Sequence, residues 1–211
     1  MAAGPRSNRA SCNSATLFAK SEKLRLVFLF LAAYWLYIDG VDTIVLMAVD
    51  YGKSLGFPSN SLITALLITQ FVGFPAAIAF GRLGERFGAR AGIFLALAVY
   101  LGVTIYGYFM DRTAEFYVLA VAIGLVQGGI QSLSRSFYAR LIPPDKAAEF
   151  FGFYNMLGKF AAVIGPALMG LAGVISGNPR FAILAVIPLF LAGGVILCFV
   201  QPKRADSNGT T

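Results

Sequence analysis

The sequence contains no histidine. That absence removes imidazole ligation of haem, His-based zinc sites and Ser–His catalysis together. An intramembrane serine protease that needs a histidine base goes with them. Cysteine is nearly as scarce, with Cys12 and Cys198 the two in the chain. Both fall in or near segments expected to face the reducing cytoplasm, so no structural disulfide is expected. Charge is thin as well, at 13% of residues against 58% hydrophobic, about half the charged share of a soluble domain. No apolar stretch carries the repeated arginines of a voltage sensor. An aspartyl protease dyad takes one Asp from each of two helices, whereas the candidate pair here, Asp39 and Asp42, sits on one. No catalytic residue, metal site or cofactor is therefore expected.

What the chain does have is length in its apolar runs. Six stretches approach the ~20 helical residues that cross a ~30 Å hydrocarbon core: Leu26–Ala48, Leu62–Phe80, Ala91–Met110, Phe116–Phe137, Phe150–Ile175 and Phe181–Val200. They leave a polar, linker-like segment over 1–24, a transmembrane domain over 25–200 and a tail over 201–211. The N-terminal segment lacks an apolar core followed by a cleavage site, so it does not read as a signal peptide. The net charge of +7 follows from placement rather than from nucleic-acid binding. With the N-terminus taken as cytoplasmic, 13 of the 17 Lys and Arg residues fall on the inner side, Lys53, Arg112 and Arg180 on the outer, and Lys159 within a span. The positive-inside rule then places both termini in the cytoplasm; the expected location is a plasma (bacterial inner) membrane.

Polar groups are distributed unevenly among the spans. Spans one, two, four and five hold Asp39, Asp42, Gln70, Gln127, Gln131, Asn155 and Lys159, whereas spans three and six hold no charged or amide residue. Such groups are costly in lipid and face a bundle interior or a wet cavity. The expectation is that four helices line something and two face lipid. The pattern repeats every three spans, as a 3+3 inverted repeat would.

Asp39 and Asp42 share a helix face with Trp35 one turn earlier, and Asp39 lies about 20 Å into its span at 1.5 Å per residue. The pair is a candidate proton or substrate site; the alternative is that Asp42 reaches the outer interface and Asp39 makes a structural pair. Lys159, about 13 Å into span five, either pairs with an Asp across helices or snorkels to the cytoplasmic interface. Gln127 and Gln131 are read as one face continued by Ser134 and Arg135. Gln70, like those two, is a candidate for solute contact or for gluing helices. Gly124-x-x-x-Gly128 is a packing signal, and Pro75, Pro166 and Pro188 are expected to kink their helices. Between spans two and three, Gly81 and Gly88 are read as turn positions open to positive φ. Glu85 would bond Arg86 or Arg135, in a charge cluster with Arg90 that latches the inner side.

The loop running from Gly81 to Arg90, GRLGERFGAR, resembles the loop signature of the major facilitator superfamily, with Glu85 in the position of the usual Asp. The strings AYWLYIDGVDTIVLMAVDYG, QGGIQSLSRSFYARLIP and AEFFGFYNMLGKFAAVIGP are similar to the branch that holds vacuolar autophagy effluxers and bacterial permeases. The resemblance covers roughly residues 23–200. It implies an all-α membrane protein, six helices forming the C-terminal half of a twelve-helix fold. It also implies secondary transport of small polar solutes such as amino acids by alternating access, proton-coupled in one version. The missing companion is then an N-terminal six-helix half or a second copy of this chain, with the lipid bilayer and a small-molecule substrate as the other partners. A non-transporting membrane scaffold is the alternative function for a lone six-helix unit.

Overall fold

Proline decides which of the apolar stretches remain single helices. It has no N–H to give to the carbonyl four residues back, and its ring crowds that carbonyl. The computed structural model describes residues 7–201, with side chains from Leu24 on except those of Glu85 and Phe87. Its helices are α1 (Ser7–Ser54), α2 (Ser59–Phe87), α3 (Ala89–Phe109), α4 (Thr113–Leu141), α5 (Ala147–Phe160), α6 (Ile164–Ser176), α7 (Pro179–Leu184) and α8 (Ile187–Phe199). Pro166 sits in the first turn of α6, and the carbonyl it fails to serve belongs to Ala162, inside the α5–α6 break. Pro188 stands in the same relation to Leu184, the last residue of α7. Pro75 behaves differently: α2 continues through it.

Six helical segments are long and apolar enough to cross a membrane: Leu24–Ser54, Ser59–Gly84, Ala89–Phe109, Thr113–Leu141, Pro144–Ser176 and Pro179–Phe199. Among the described residues there is no strand. The chain is an all-α multi-pass membrane protein. Its connections are shorter than the sequence suggested. Arg82 and Arg86 continue α2 rather than ending it, so the expected loop over Gly81–Arg90 shrinks to Gly88, whose φ is 90°. Gly81 is helical and makes no turn. The polar segment before residue 25 lies mostly ahead of the described side chains, although α1 begins within it.

The packing interlocks the two triples of spans. In the second triple α4 leads, and it packs on α2 and α3 of the first; α1, which leads the first triple, packs on α5, α6 and α8 of the second. This exchange is the arrangement of a 3+3 inverted repeat. Small residues make the α2–α4 contact close. A Cβ on Gly124 would lie 2.7 Å from the Thr69 carbonyl oxygen, and one on Gly128 would lie 2.9 Å from that of Gly73. The Thr69 hydroxyl bonds the Ala120 carbonyl across the same seam at 3.1 Å. On the other side, Phe190 of α8 lies against Gly40 and stacks on Tyr100 of α3 at 5.6 Å.

Exposure does not follow apolarity as the sequence implied. The two all-apolar spans, α3 and α7–α8, are 44% and 39% buried, whereas α2 and α5–α6 are buried to only 22% and 17%. The reason is that α3 and α8 use Gly92, Gly107 and Gly193 to settle against α4, α7 and α1. The outer faces of α2 and α6 present Phe71, Phe74, Val174 and Ile175 to the outside.

The close approach of α2 and α4 makes a stability prediction. Gly124→Leu must push against backbone, and should cost about 2–3 kcal/mol by overpacking. Gly102→Ala, with open space around it, should be neutral or stabilise by up to about 1 kcal/mol through helix propensity. Thermal unfolding in detergent, followed by the fluorescence of Trp35, reads both.

Candidate functional site

The spacing along α4 sets up one wall of a trough. Gly128, Gln131, Ser132, Arg135, Ser136 and Ala139 recur at three- and four-residue intervals and so share a face. They line a cavity of about 920 Å³. Tyr34, Ile38 and Asp42 of α1 form the facing wall, Ala77 comes from α2, and Tyr154, Asn155, Gly158 and Lys159 come from α5. No residue of α3, α6, α7 or α8 lines it. The lining lies in the half of α4 next to the α4–α5 connection and in α5, the half of span five nearer that connection, on the near face of the molecule. Toward the opposite, far face the helices close over apolar side chains such as Ile44, Leu119 and Ile183, leaving a void of about 40 Å³.

Charge of both signs meets in the trough. Asp42 stands on one wall, and Arg135 and Lys159 stand on the others. Arg135 Nη2 donates to Asn155 Oδ1 at 3.3 Å, tying α4 to α5. Lys159 is exposed, and neither it nor Asp42 is in an ion pair among the described residues. The pairing of Lys159 with Asp39 is not formed. Asp39 is 1% exposed, lies behind the trough wall and accepts from the Gly165 N–H through both carboxylate oxygens, at 3.2 and 3.1 Å.

The remaining expected residues separate. Gln131, Asn155 and Lys159 come together with Asp42 and Arg135. Gln127 is half-buried off the trough, and Gln70 is exposed on the outer side of α2 beside Phe71. Ser134 does not share the trough face with Arg135; it is buried against α1. The Glu85 side chain lies outside the described residues, so its bonds to Arg86 or Arg135 are not part of the structure described. Arg90 is held otherwise, its Nη2 donating to the Cys198 carbonyl at 2.7 Å and its guanidinium lying over the Phe94 ring.

An aromatic cluster supports the trough, and sequence reading passed over it. Tyr154 of α5 stacks on Tyr34 of α1 at 4.2 Å and on Tyr138 of α4 at 5.0 Å, so three helices meet at one ring. Beneath it the Ser134 hydroxyl donates to the Ile130 carbonyl at 2.6 Å. Its proton is thus used, and Tyr37 donates to it, again at 2.6 Å. The signal was present as Tyr34 and Tyr37, three residues apart in α1, which read equally well as membrane-interface aromatics. At the far face, Arg180 ion-pairs with Asp111 and donates to the Tyr108 carbonyl at 3.3 Å, while Tyr51 donates to the Gly107 carbonyl at 2.7 Å.

Six spans in interlocked triples, with a polar trough on the face shared by α1, α2, α4 and α5, define a six-helix half of the major facilitator fold. The family described as vacuole effluxer Atg22 like matches residues 10–210, and the chain belongs to that family of transporters. It is 46% identical over 181 residues to the Bacillus subtilis protein named uncharacterized MFS-type transporter YxiO, which covers 86% of this chain and 42% of that protein. It is 31% identical over 206 residues to autophagy-related protein 22-1 of Aspergillus niger, covering 89% of this chain and 34% of the relative. Autophagy-related protein 22 of Coccidioides immitis is 30% identical over 207 residues, with 90% and 34% covered. The chain thus spans less than half the length of these relatives.

The buried Tyr37–Ser134 bond predicts a modest loss on deletion of one partner. Tyr37→Phe leaves Ser134 still bonded to Ile130, so the cost should be about 1 kcal/mol. Thermal unfolding in detergent should fall by a few degrees without a change in oligomeric state.

Proposed function

We propose that this chain is one six-helix unit of a secondary transporter that moves small polar solutes, such as amino acids, by alternating access. The observation that carries the reading is the trough itself, where Asp42 faces Arg135 and Lys159 with Gln131 and Asn155 between them. A zwitterion fits that arrangement: its carboxylate meets Arg135 and Lys159, its ammonium meets Asp42, and the amides take the remaining bonds. Proton coupling is assigned to Asp42, a half-buried carboxylate with no ion-pair partner among the described residues. The trough lacks a fourth side, and its flanking helices α2 and α5–α6 are the least buried of the six spans. A second six-helix unit closes it, either an N-terminal half or another copy of this chain. The 13-to-3 charge bias supports cytoplasmic termini. In that orientation the trough opens inward while the Arg180–Asp111 side is shut. The likeness to the Bacillus subtilis protein supports a bacterial inner membrane. Gly88, flanked in sequence by Arg86 and Arg90, is the near-face gate in this reading, with Arg135 at the trough.

Transport of radiolabelled amino acids by the assembled two-unit protein in proteoliposomes tests the assignment. Asp42→Asn and Lys159→Gln should each lower the initial rate by about tenfold or more, as expected when a charged contact of about 1.5–3 kcal/mol is lost. Gln70→Ala, on the outer face, should leave the rate within about twofold. Unchanged transport by both charge variants would remove the trough from the mechanism. A stable monomer without flux for any solute would favour the scaffold instead.

A further inference from the structure

The break in span five creates an obligation that a membrane interior does not easily meet. The first N–H groups of a helix have no partner one turn back, and hydrocarbon offers them no water. At α6, Pro166 has no N–H, and Val163 at the N-cap makes no side-chain bond. The Gly165 N–H is taken by the Asp39 carboxylate, reached from α1 across 126 residues of sequence. An anionic acceptor there also meets the positive end of the α6 dipole.

The same helix face supplies a second hold one turn further on. Thr43 lies so close to Gly165 that a Cβ added to the glycine would overlap its hydroxyl oxygen. Asp39 and Thr43, four residues apart, therefore grip one backbone position by a hydrogen bond and by contact. Immediately upstream, Ala162 adopts a φ of 64°, the left-handed region unusual for a side-chain-bearing residue. Such conformations persist where the surroundings over-determine them. On the other side of the break, the last two turns of α5 carry Asn155 and Lys159 into the trough.

We infer that Asp39 is a positioning residue: as a hydrogen-bond acceptor it fixes the α5–α6 break, and so sets where Asn155 and Lys159 stand in the trough. This deepens the solute-trough reading and rests on it for the purpose of the positioning. It separates the two carboxylates that the sequence presents as a pair. Asp42 faces the solute, and Asp39 holds the helix that faces Asp42. Asparagine keeps an acceptor oxygen at position 39 and alanine does not, so the two substitutions distinguish a cap from a group that must carry charge.

The test uses the full chain in detergent micelles, with Cys12→Ser and Cys198→Ser removing the native thiols. The probe is a water-soluble maleimide. Asn155→Cys reports on α5, and Ser136→Cys on α4 is the reference. Asp39→Asn should leave both labelling rates within about twofold, while Asp39→Ala should shift the rate at 155 by about fivefold or more and leave that at 136 alone, the size expected for losing a helix cap. Gly165→Ala should shift the rate at 155 in the same way, and adding Thr43→Gly, which removes every side-chain atom that the new Cβ would meet, should return it. An unchanged rate at 155 in Asp39→Ala would overturn the proposal. So would an equal shift in Asp39→Asn, or a shift at 136 as large as at 155. Should Asp39→Ala fail to fold, Gly165→Ala with and without Thr43→Gly decides alone. Labelling needs no transported solute, so this outcome stands apart from the fate of the trough reading.

Discussion

A backbone amide inside hydrocarbon must find its partner in the protein, and this constraint shapes span five more than any other part of the molecule. Pro166 prevents α5 and α6 from being one helix. The break leaves an N–H at Gly165 and a carbonyl at Ala162 outside any helical ladder. The donor is answered from α1 by Asp39. The positions of Asn155 and Lys159, the open side of the trough and the low burial of α5–α6 all follow from a span that is hinged rather than straight. The contrast with span two is instructive. Pro75 sits within α2, yet the helix passes through it, because α4 presses on it along its length through glycines. Span five has no such neighbour in this chain.

The two triples are alike in order and unlike in tightness. The α2–α4 seam is the most extensive contact in the molecule, whereas its counterpart between α1 and α5–α6 is slight. The difference has a side-chain cause. Gly124, Gly128 and Gly129 put no side chain between α4 and α2. On α1, Tyr34 meets α5 by stacking on Tyr154 and lying against Gly158, and rings hold two backbones apart. The space so created is the trough.

Much of this was legible in the sequence. The six spans stand out by length and composition, and three of the helix-packing or helix-breaking signals, at Gly124, Gly128 and Pro166, act in the structure as their chemistry requires. Loop lengths were overread because Arg82, Glu85 and Arg86 mark an interface by charge while costing a helix nothing. The site was half legible. Gln131 and Arg135 were found, four residues apart on one face. Gln127, also four residues from Gln131, falls off the trough because α2 crosses α4 at Gly128 and ends the open face there. The bond from Asp39 to Gly165 could not be read, because nothing local to either residue carries information about the other.

What remains is why two aspartates three residues apart should lead such different lives. Helical geometry gives about 100° per residue, so three residues return to nearly the same face but not quite. In α1 that remainder decides the outcome. Asp39 falls on the line that runs into the broken span and is enclosed by it. Asp42 falls on the line that runs along the trough and stays half-exposed. Gly40 lies between them, with Phe190 of α8 against it, so α1 is seated on α8 by a contact a larger residue could not make. That seating fixes the rotation of α1. The same rotation turns Asp39 toward the Gly165 backbone and Asp42 toward the trough.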